Sequence, residues 1–325
     1  MHRRYRQIGV TRLGRVAAAA ALVVGVATSV SACGPSSSTQ SKLSKPTTVV
    51  ARVGEPIAFA SNTAGDVYFA ERLTGRVRAI VGGSVADAPV AQVDISLEGQ
   101  RGLLGMAIDR DNRVFVAYTE KFGERRIIVS RVNGSVEQIV WRGPASQDQA
   151  NGGHIAFAAD GALLLGIGEL AARELEPSLG KPPDGLAAGR LLALDPTGRA
   201  DQVPKVVSSG WHNPYAFVVR PDGSVWIADN APNGTPERLA RADRDGQPTQ
   251  VVEFDEELIP TALATDANND FVLCTLTGSA LRQQAGSTKW SASITTAPCT
   301  RAVFAIPGTK RLLFSDETTI FEISR

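Results

Sequence analysis

Two histidines are the candidates for acid–base chemistry in this chain. The sequence contains three histidines, and His2 lies in an arginine-rich N-terminal segment, which leaves His154 and His212 for the rest of the chain. Imidazole exchanges a proton near neutral pH, so either residue is a candidate catalytic base. A purely structural hydrogen-bonding role is the alternative for both.

The residue types present argue against several other reactions. Zinc-dependent hydrolysis needs clustered His or Cys ligands, which two scattered histidines do not supply. No Gly-x-Ser-x-Gly sequence marks a nucleophilic serine, and the glycine pairs lie in strand turns without a following helix to hold phosphate. The acidic stretch 253–257 is interpreted as a solvated loop.

Three cysteines are present, and two of them are candidates for a disulfide. Cys274 and Cys299 both lie in or beside probable strands of the last third of the chain. In an oxidising cell envelope they are expected to pair, with two buried thiols as the alternative.

Six short polar turns, each between two apolar runs, define the elements that must position these residues. The turns are centred on Gly65, Asn112, Gly161, Gly223, Asn269 and Gly308. Glycine and asparagine suit tight turns, and the flanking Val, Leu, Ile and Phe residues favour buried strands. Successive turns are 47, 49, 62, 46 and 39 residues apart, close to the about 40–50 residues of one propeller blade. The sequence therefore predicts an all-β fold, a six-bladed β-propeller of four-stranded blades; a β-sandwich array is the alternative.

The last blade is predicted to be one strand short. Residues 302–306, 311–314 and 320–323 supply three strands, and the N-terminal run Thr47–Val53 is expected to supply the fourth. The propeller would then be closed by an N-terminal strand, which pairs edges that are otherwise exposed.

The first 32 residues are predicted to be a lipoprotein signal peptide. Five arginines precede an uncharged stretch from Val16 to Val30 that is too short to span a bilayer comfortably. The sequence Val-Ser-Ala-Cys-Gly that ends at Gly34 resembles a lipobox. We therefore expect lipidation of Cys33 and anchoring to the extracytoplasmic face of the cell membrane; an ordinary secretory signal is the alternative.

The remaining chain is predicted to be a tether and one domain. Residues 33–46 comprise the lipidated cysteine and a polar, flexible tether, and residues 47–325 form the propeller. An insertion at 171–189 either borders the axial pocket or is an unrelated surface loop.

The charge balance argues against a nucleic-acid partner. Five of the 34 basic residues lie in the signal peptide, which holds none of the 33 acidic residues, so the mature chain has a net charge of −4. A general attraction to phosphate backbones is not expected.

Four motifs carry a family resemblance. In chain order they are Gly99–Gly105 (GQRGLLG), Asn151–Phe157 (NGGHIAF), Gly189–Leu192 (GRLL) and Gly210–Pro214 (GWHNP). They resemble the soluble quinoprotein glucose dehydrogenases, also called glucose/sorbosone or aldose sugar dehydrogenases. The chain is also similar to actinobacterial lipoproteins related to mycobacterial LppZ, which carry such a propeller behind a lipobox.

The resemblance implies pyrroloquinoline quinone (PQQ) and calcium on the propeller axis and oxidation of an aldose. In active members a histidine base takes the anomeric hydroxyl proton while hydride moves to the quinone. The matching position here holds Ala150, or Gln149 if one residue is inserted. Neither side chain accepts a proton at neutral pH.

Further residues of this chain match functional positions of the family. Gln100 matches a glutamine that reaches the sugar, and Arg301 matches a cofactor-contacting arginine. Ala231 and Pro232 match a pair whose carbonyl groups hold the catalytic calcium. Glu237 falls at the position of a structural calcium ligand.

Several cofactor-binding cations of the family are replaced. His212 and Cys299 occupy arginine positions, Thr277 occupies a lysine position, and His154 replaces another arginine. Because PQQ carries three carboxylates, its binding relies on fixed cations, so its binding and that of calcium are expected to be weakened or lost.

Two functional hypotheses follow. In the first, the chain is a cell-envelope lipoprotein whose catalysis is degenerate and whose axial face binds a small molecule or an envelope protein, with Gln100, His154, His212 and Arg301 lining the pocket. In the second, it is a PQQ- and calcium-dependent aldose dehydrogenase with His154 or His212 as a rearranged base. A calcium-dependent lactonase is a third hypothesis that rests on fold analogy alone.

Overall fold

Each of the six predicted turns joins the first two strands of one blade. The computed structural model describes residues 43–170, 187–231, 235–243, 246–254, 256–284 and 290–325. All six turn residues have positive φ, for example +87° at Gly161 and +61° at Asn112. The predicted signal peptide, Cys33, most of the tether, most of the 171–189 insertion and Pro232 lie outside the described residues.

The described residues form 24 strands in six sheets, five of which are blades with consecutive strands. The first strand is β1 (Thr47–Ala51). Blade 1 comprises β2 (Pro56–Ser61), β3 (Val67–Glu71), β4 (Arg76–Val81), β5 (Ser84–Val85) and β6 (Ala91–Gln92). Blade 2 comprises β7 (Leu103–Ile108), β8 (Val114–Thr119), β9 (Arg126–Asn133) and β10 (Val136–Ala145). Blade 3 comprises β11 (Ile155–Phe157), β12 (Leu163–Ile167), β13 (Arg190–Leu194) and β14 (Lys205–Ser209).

The second half of the ring repeats the same antiparallel order. Blade 4 comprises β15 (Ala216–Val219), β16 (Val225–Asp229), β17 (Arg238–Ala242) and β18 (Thr249–Glu253). Blade 5 comprises β19 (Pro260–Thr265), β20 (Phe271–Thr275) and β21 (Leu281–Gln283), with a single 3-10 turn at Thr277–Ser279. Blade 6 comprises β22 (Val303–Ala305), β23 (Arg311–Ser315) and β24 (Thr319–Ser324), and β1 pairs antiparallel with β24 at its outer edge.

The first strands of the blades surround a common axis. Strands β2, β7, β11, β15, β19 and β22 contact one another in cyclic order, and β22 returns to β2. This arrangement is a six-bladed β-propeller, so the predicted fold class is confirmed. Among the described residues, no helix has the length and apolar character needed to cross a membrane.

Apolar side chains fill the spaces between neighbouring blades. Six buried clusters occupy the described part of the ring, one at each junction, such as Phe115 with Leu165 between blades 2 and 3. Strands β8, β12 and β20 are buried along their whole length. Second strands are covered on both faces, which explains why their sequences are continuously apolar instead of alternating.

Close packing around the axis requires glycine at Gly105 in β7. A β-carbon at Gly105 would lie 2.3 Å from the carbonyl oxygen of Gly153, which precedes β11 in the next blade. Any larger residue would push blades 2 and 3 apart. The glycine in the GLLG portion of the first motif is therefore explained by packing.

Candidate functional site on the axial face

The connections at the end of the ring opposite the six turns converge on the axis. In an antiparallel blade the start of the first strand and the turn between the second and third strands lie at the same end. Glu55, Tyr215 and Arg301 directly or nearly precede β2, β15 and β22, while Arg72 follows β3. We call this end the axial face.

A cavity of about 250 Å³ opens on this face and is lined by residues from all six blades. We call it the axial-face cavity. Its polar lining residues are Glu55, Arg72, Gln100, Asn151, Asn213, Tyr215, Asn230, Thr261 and Arg301. The volume is near the lower end of the range for small-molecule sites, so the cavity suits a compact polar ligand.

Glu55 holds two arginines in the cavity. Its carboxylate accepts hydrogen bonds from Nη2 of Arg72 at 2.7 Å and from Nε of Arg301 at 2.6 Å. Glu55 is 7% exposed and has a positive φ of +63°. Such charge-assisted bonds are strong when they are shielded from water, so the two guanidinium groups are fixed in position and share one counter-charge.

Other guanidinium nitrogens of Arg72 and Arg301 also have interaction partners. Nη1 of Arg72 donates to the carbonyl oxygen of Arg101 at 2.8 Å. Nη1 of Arg301 donates to the carbonyl oxygen of Thr300 at 2.9 Å, and Nη2 lies 3.1 Å from Oε1 of Glu317, which is 53% exposed. Both guanidinium groups are therefore oriented by the backbone as well as by Glu55.

Gln100 contacts the position at which the resemblance places a catalytic base. Its Oε1 accepts a hydrogen bond from the backbone amide of Ala150 at 2.9 Å, and its own backbone amide donates to the carbonyl oxygen of Asp148 at 2.8 Å. Ala150 has a left-handed φ of +51°. The methyl group of Ala150 offers no proton acceptor beside Gln100.

Arg101 anchors the loop that carries Ala150. It is buried, its Nε donates to Oγ of Ser146 at 2.9 Å, and its Nη1 donates to Oδ1 of Asp148 at 2.7 Å. These bonds fix residues 146–148 against the Gly99–Gly105 motif. The loop is thus held by the side chain next to Gln100 in sequence.

His154 lies in a second cavity that runs along the axis. This axial channel has a volume of about 400 Å³, is lined by the first strands of all six blades, and shares Ile57 and Thr261 with the axial-face cavity. The His154 ring packs edge-on against Phe217, with centroids 4.6 Å apart. Burial lowers the pKa of the His154 imidazole from 6.5 to about 4, so the ring is neutral at neutral pH.

Tyr215 lies between the two cavities. Its ring packs edge-on against His154 with centroids 6.2 Å apart, and it belongs to the lining of the axial-face cavity. Burial, reinforced by the charge of Glu55, raises the pKa of the Tyr215 hydroxyl above its usual value. The phenol therefore stays protonated and can both donate and accept a hydrogen bond.

His212 pairs with a buried carboxylate outside the lining of both cavities. Its Nδ1 lies 3.3 Å from Oδ2 of Asp229, which is 0% exposed. Asp229 also accepts hydrogen bonds from the backbone amides of His212 and Asn213 and from Nη2 of Arg238. The carboxylate thus fixes the imidazole and the turn that carries Asn213 into the cavity.

Glu237 binds backbone amides in this structure. Its carboxylate accepts hydrogen bonds from Leu258 at 2.7 Å and from Ile259 at 2.9 Å, and burial raises its pKa. Ala231 lies beyond β16 outside the cavity lining, and Pro232 is outside the described residues. Within the described ranges, no three His, Cys, Asp or Glu side chains form a group that could hold a metal ion.

The two C-terminal cysteines are joined at the junction of blades 5 and 6. Cys274 in β20 and Cys299 before β22 form a disulfide with Cα atoms 5.1 Å apart. Both are fully buried in the cluster between these blades. Cys299 therefore stabilises the fold and offers no charge to a ligand.

Comparison with protein families identifies the chain. Residues 53–242 match the family model described as Glucose / Sorbosone dehydrogenase. The chain belongs to this family. The match covers blades 1 to 3 and the first three strands of blade 4, including Gln100, Ala150, His154 and His212, and agrees with the resemblance of the four sequence motifs.

Solved structures show the same fold as this Glucose / Sorbosone dehydrogenase family member. An oxidoreductase from Thermus thermophilus, described as a glucose dehydrogenase, is 22% identical, with a TM-score of 0.70 over 86% of this chain and 99% of the other. The PQQ-bound aldose sugar dehydrogenase of Streptomyces coelicolor is 20% identical, with a TM-score of 0.69 over 86% and 96%. The apo-form of the soluble aldose sugar dehydrogenase of Escherichia coli is 16% identical, with a TM-score of 0.67 over 86% and 99%. No curated protein sequence matched the chain.

The structure places the predicted pocket residues of this Glucose / Sorbosone dehydrogenase family member in three different environments. Gln100 and Arg301 line the axial-face cavity, whereas His154 lines the axial channel and His212 lines neither cavity. The structure thus brings Gln100 and Arg301 together in one cavity and places His154 and His212 outside its lining. The imidazole of His212 is turned to Asp229 because that buried carboxylate requires partners.

Sequence reasoning missed Glu55, Arg72 and Tyr215. A usable signal was present, because Glu55 and Arg301 stand at equivalent positions, directly before or one residue from the first strands of blades 1 and 6. Residues at equivalent positions of adjacent repeats lie side by side at one end of a ring. Their opposite charges therefore predict the ion pair that the structure contains.

Proposed function

We propose that the protein is a cell-envelope lipoprotein whose axial-face cavity binds a small ligand, and that PQQ-dependent oxidation of aldoses has been lost. Lipidation of Cys33 would hold the propeller at the extracytoplasmic face of the cell membrane. The single observation that carries the loss of quinone chemistry is the position of Glu55 between Arg72 and Arg301.

PQQ does not fit the charges of this cavity. The cofactor carries three carboxylates, and among the described lining residues the charged groups are two arginines and one glutamate. The carboxylate of Glu55 already balances the charge of one of the two arginines. Most of the three carboxylates of PQQ would therefore be left without a buried counter-charge. The residues present therefore support no reaction step through the quinone.

The position of the catalytic base also supports the loss. Gln149 is exposed, and Ala150 contacts Gln100 through its backbone amide and has only a methyl side chain. Among the described lining residues of the axial-face cavity there is no histidine. Proton abstraction from a sugar hydroxyl would have to use a group that the cavity does not present.

The residues at the expected calcium positions do not support a calcium-dependent step either. The carboxylate of Glu237 is engaged by the amides of Leu258 and Ile259, so it would have to release both to bind a metal ion. Hard cations such as calcium prefer six to eight oxygen ligands. The described residues around Ala231 supply no acidic cluster of that kind.

The second hypothesis, a rearranged dehydrogenase, is favoured by one observation. Asp229 orients the imidazole of His212 at 3.3 Å, and a buried carboxylate bonded to Nδ1 is the usual partner of a histidine base. The adjacent residue Asn213 lines the cavity. A shift of the 210–214 turn would be needed to bring Nε2 to a ligand there.

A titration distinguishes the two proposals. We would purify the chain that begins after Cys33, add PQQ with calcium, and follow cofactor absorbance together with dye-linked oxidation of a panel of aldoses. The first proposal expects no turnover and at most weak binding. If turnover is observed, disappears in His212→Gln and is retained in Arg311→Gln on the outer edge, the second proposal replaces the first.

The lipoprotein assignment needs its own test. We expect the full chain to fractionate with membranes and Cys33→Ser to remain uncleaved or soluble, with loss of metabolic labelling by palmitate. Ser31→Thr, which keeps the cysteine, serves as a control. Equal labelling of the wild-type chain and Cys33→Ser would contradict lipidation at this residue.

A further inference from the structure

We propose that the axial-face cavity binds a small polyhydroxylated acid with a single carboxylate. This inference rests on the proposed binding function and names its ligand class. It is carried by three features of the cavity, namely its charge balance, a replaceable partner on Arg301, and buried polar atoms that lack hydrogen bonds.

The charge balance selects a monoanion. Arg72 and Arg301 face one internal carboxylate, that of Glu55, so the charged side chains of the described lining carry one excess positive charge. One ligand carboxylate completes two ion pairs in a partly desolvated site. A neutral sugar leaves the excess charge unpaired, and a ligand with two or more carboxylates brings negative charge that has no partner.

The geometry of Arg301 indicates where the ligand carboxylate binds. Its Nε is held by Glu55 and its Nη1 by the carbonyl oxygen of Thr300, whereas Nη2 lies 3.1 Å from the exposed Glu317. Glu317 is outside the cavity lining and more than half exposed, so it can return to solvent at little cost. Replacement of Glu317 by a ligand carboxylate would keep every buried bond of Arg301 intact.

Arg72 contributes to charge and fixes the geometry. Its Nη2 binds Glu55 and its Nη1 binds the backbone carbonyl of Arg101. These bonds hold the guanidinium group in one plane and orient Glu55 toward Arg301. Arg72 is therefore a positioning residue, while Arg301 contacts the ligand.

Buried polar atoms without hydrogen-bond partners around the same cavity favour a ligand that carries hydroxyl groups. Within the described structure, Oδ1 of Asn213 and Oγ1 of Thr261 are buried and have no hydrogen-bond partner, and both residues line the cavity. Tyr215 adds a protonated phenol to the same lining. Buried polar groups without partners are unfavourable, so a ligand that carries several hydroxyl groups gains from pairing with them.

Three six-carbon probes that differ in carboxylate number test the charge argument. Glucose, gluconate and glucarate carry none, one and two carboxylates on a similar hydroxylated chain. We would measure their binding to the full chain, purified in detergent, by titration calorimetry. We expect gluconate to bind at least 10-fold more tightly than glucose and more tightly than glucarate. Gluconate binding that is absent or no tighter than that of glucose would overturn the inference.

Two variants test the assigned contacts. Arg301→Gln is expected to weaken gluconate binding at least 10-fold, whereas Glu317→Gln, which removes a competing carboxylate outside the cavity, is expected to tighten it several-fold. Thermal unfolding checks that both variants are folded. Since Glu317 is exposed, its variant keeps the test decisive if Arg301→Gln fails to fold. Unchanged or weaker binding by Glu317→Gln overturns the site.

The two proposals fail in different experiments. If gluconate does not bind and PQQ with calcium gives no turnover, only the ligand class named here is wrong. If PQQ with calcium supports aldose oxidation, the proposed loss of catalysis fails whatever the result for gluconate. Gluconate binding without quinone turnover is the outcome that both proposals expect.

Discussion

The carboxylate of Glu55 lies 2.6 Å from Nε of Arg301, although the two residues are 246 positions apart in the sequence. Glu55 directly precedes the first strand of blade 1, and Arg301 lies just before the first strand of blade 6. The ion pair therefore bridges the junction at which the ring begins and ends. It also fixes the charge that any ligand of the axial-face cavity meets.

Removal of Glu55 should destabilise the propeller. Glu55→Ala leaves Arg72 and Arg301 close together without their shared counter-charge, and breaking a partly buried pair of this kind costs about 2–3 kcal/mol. Urea unfolding followed by tryptophan fluorescence measures the loss.

A surface pair provides the control for this change. Glu322 pairs with Arg311, whose side chain is half exposed, at 2.6 Å. Because exposed pairs contribute about 0–1 kcal/mol, Glu322→Ala should change the free energy of unfolding much less than Glu55→Ala. Equal losses would show that Glu55 is only another surface charge.

Removal of the N-terminal strand should weaken the whole ring. Strand β1 pairs with β24 along the outer edge of blade 6, from Thr47 opposite Glu322 to Ala51 opposite Thr319. Loss of β1 exposes that edge and uncovers the apolar cluster between blades 6 and 1, to which Val49 and Val50 contribute.

A pair of truncations measures this contribution. A chain that starts at Arg52 should unfold at a lower urea concentration than one that starts at Leu43, and its free energy of unfolding should be smaller by about 2 kcal/mol or more. Probes in every blade should report the same shift of the transition. A change confined to blade 6 would show that the blades unfold independently.

The inner part of the fold was predictable from the sequence, and the outer part was not. The first two strands of each blade are continuously apolar and are joined by turns that need positive φ, so the repeat is visible at Gly161 or Asn269. Outer strands are largely exposed, as in β18 (Thr249–Glu253), and carry no comparable pattern. Blade 1 even divides its outer edge between β5 and β6, which both pair with β4.

The site was predictable only where a motif marks it. Gln100 and Arg301 were identified through family positions, and both line the cavity. Asp229 lies beside His212 because the connection from blade 3 to blade 4 folds against β16, and Glu237 lies beside Ile259 because blades 4 and 5 meet there; local sequence encodes neither contact. Arg72 meets Glu55 across the β2–β3 hairpin of blade 1, whereas the pairing of Arg301 with Glu55 depends on the closed ring.

The disulfide is expected to stabilise the junction of blades 5 and 6. Cys274 and Cys299 are 25 positions apart, and a cross-link over a loop of this length stabilises a fold by about 3 kcal/mol through loss of unfolded-state entropy. Dithiothreitol should lower the unfolding midpoint of the wild-type chain. The double variant Cys274→Ala/Cys299→Ala should have a lower unfolding midpoint than the wild-type chain, and reductant should not change it. An unchanged midpoint of the wild-type chain on reduction would contradict the prediction.

Stability should fall with pH through the titration of His154. Because burial lowers the pKa of its imidazole from 6.5 to about 4, the unfolded chain binds a proton between these values while the folded chain does not. The contribution of His154 is therefore complete above pH 6.5 and is lost as the pH falls toward 4, by on the order of 2–3 kcal/mol.

His154→Gln tests this assignment, since glutamine does not titrate. Urea unfolding is compared at about pH 7, above the interval in which His154 changes stability, and at about pH 4.5, near its lower end. The loss of stability between the two should be smaller for His154→Gln than for the wild-type chain, while His212→Gln should retain the part of the loss that belongs to His154. Equal pH dependence in the wild-type chain and His154→Gln would mean that the imidazole is solvated in the axial channel. A solvated ring would in turn be free to receive a proton from a ligand, so this measurement also bears on whether His154 can act as the base of the second hypothesis.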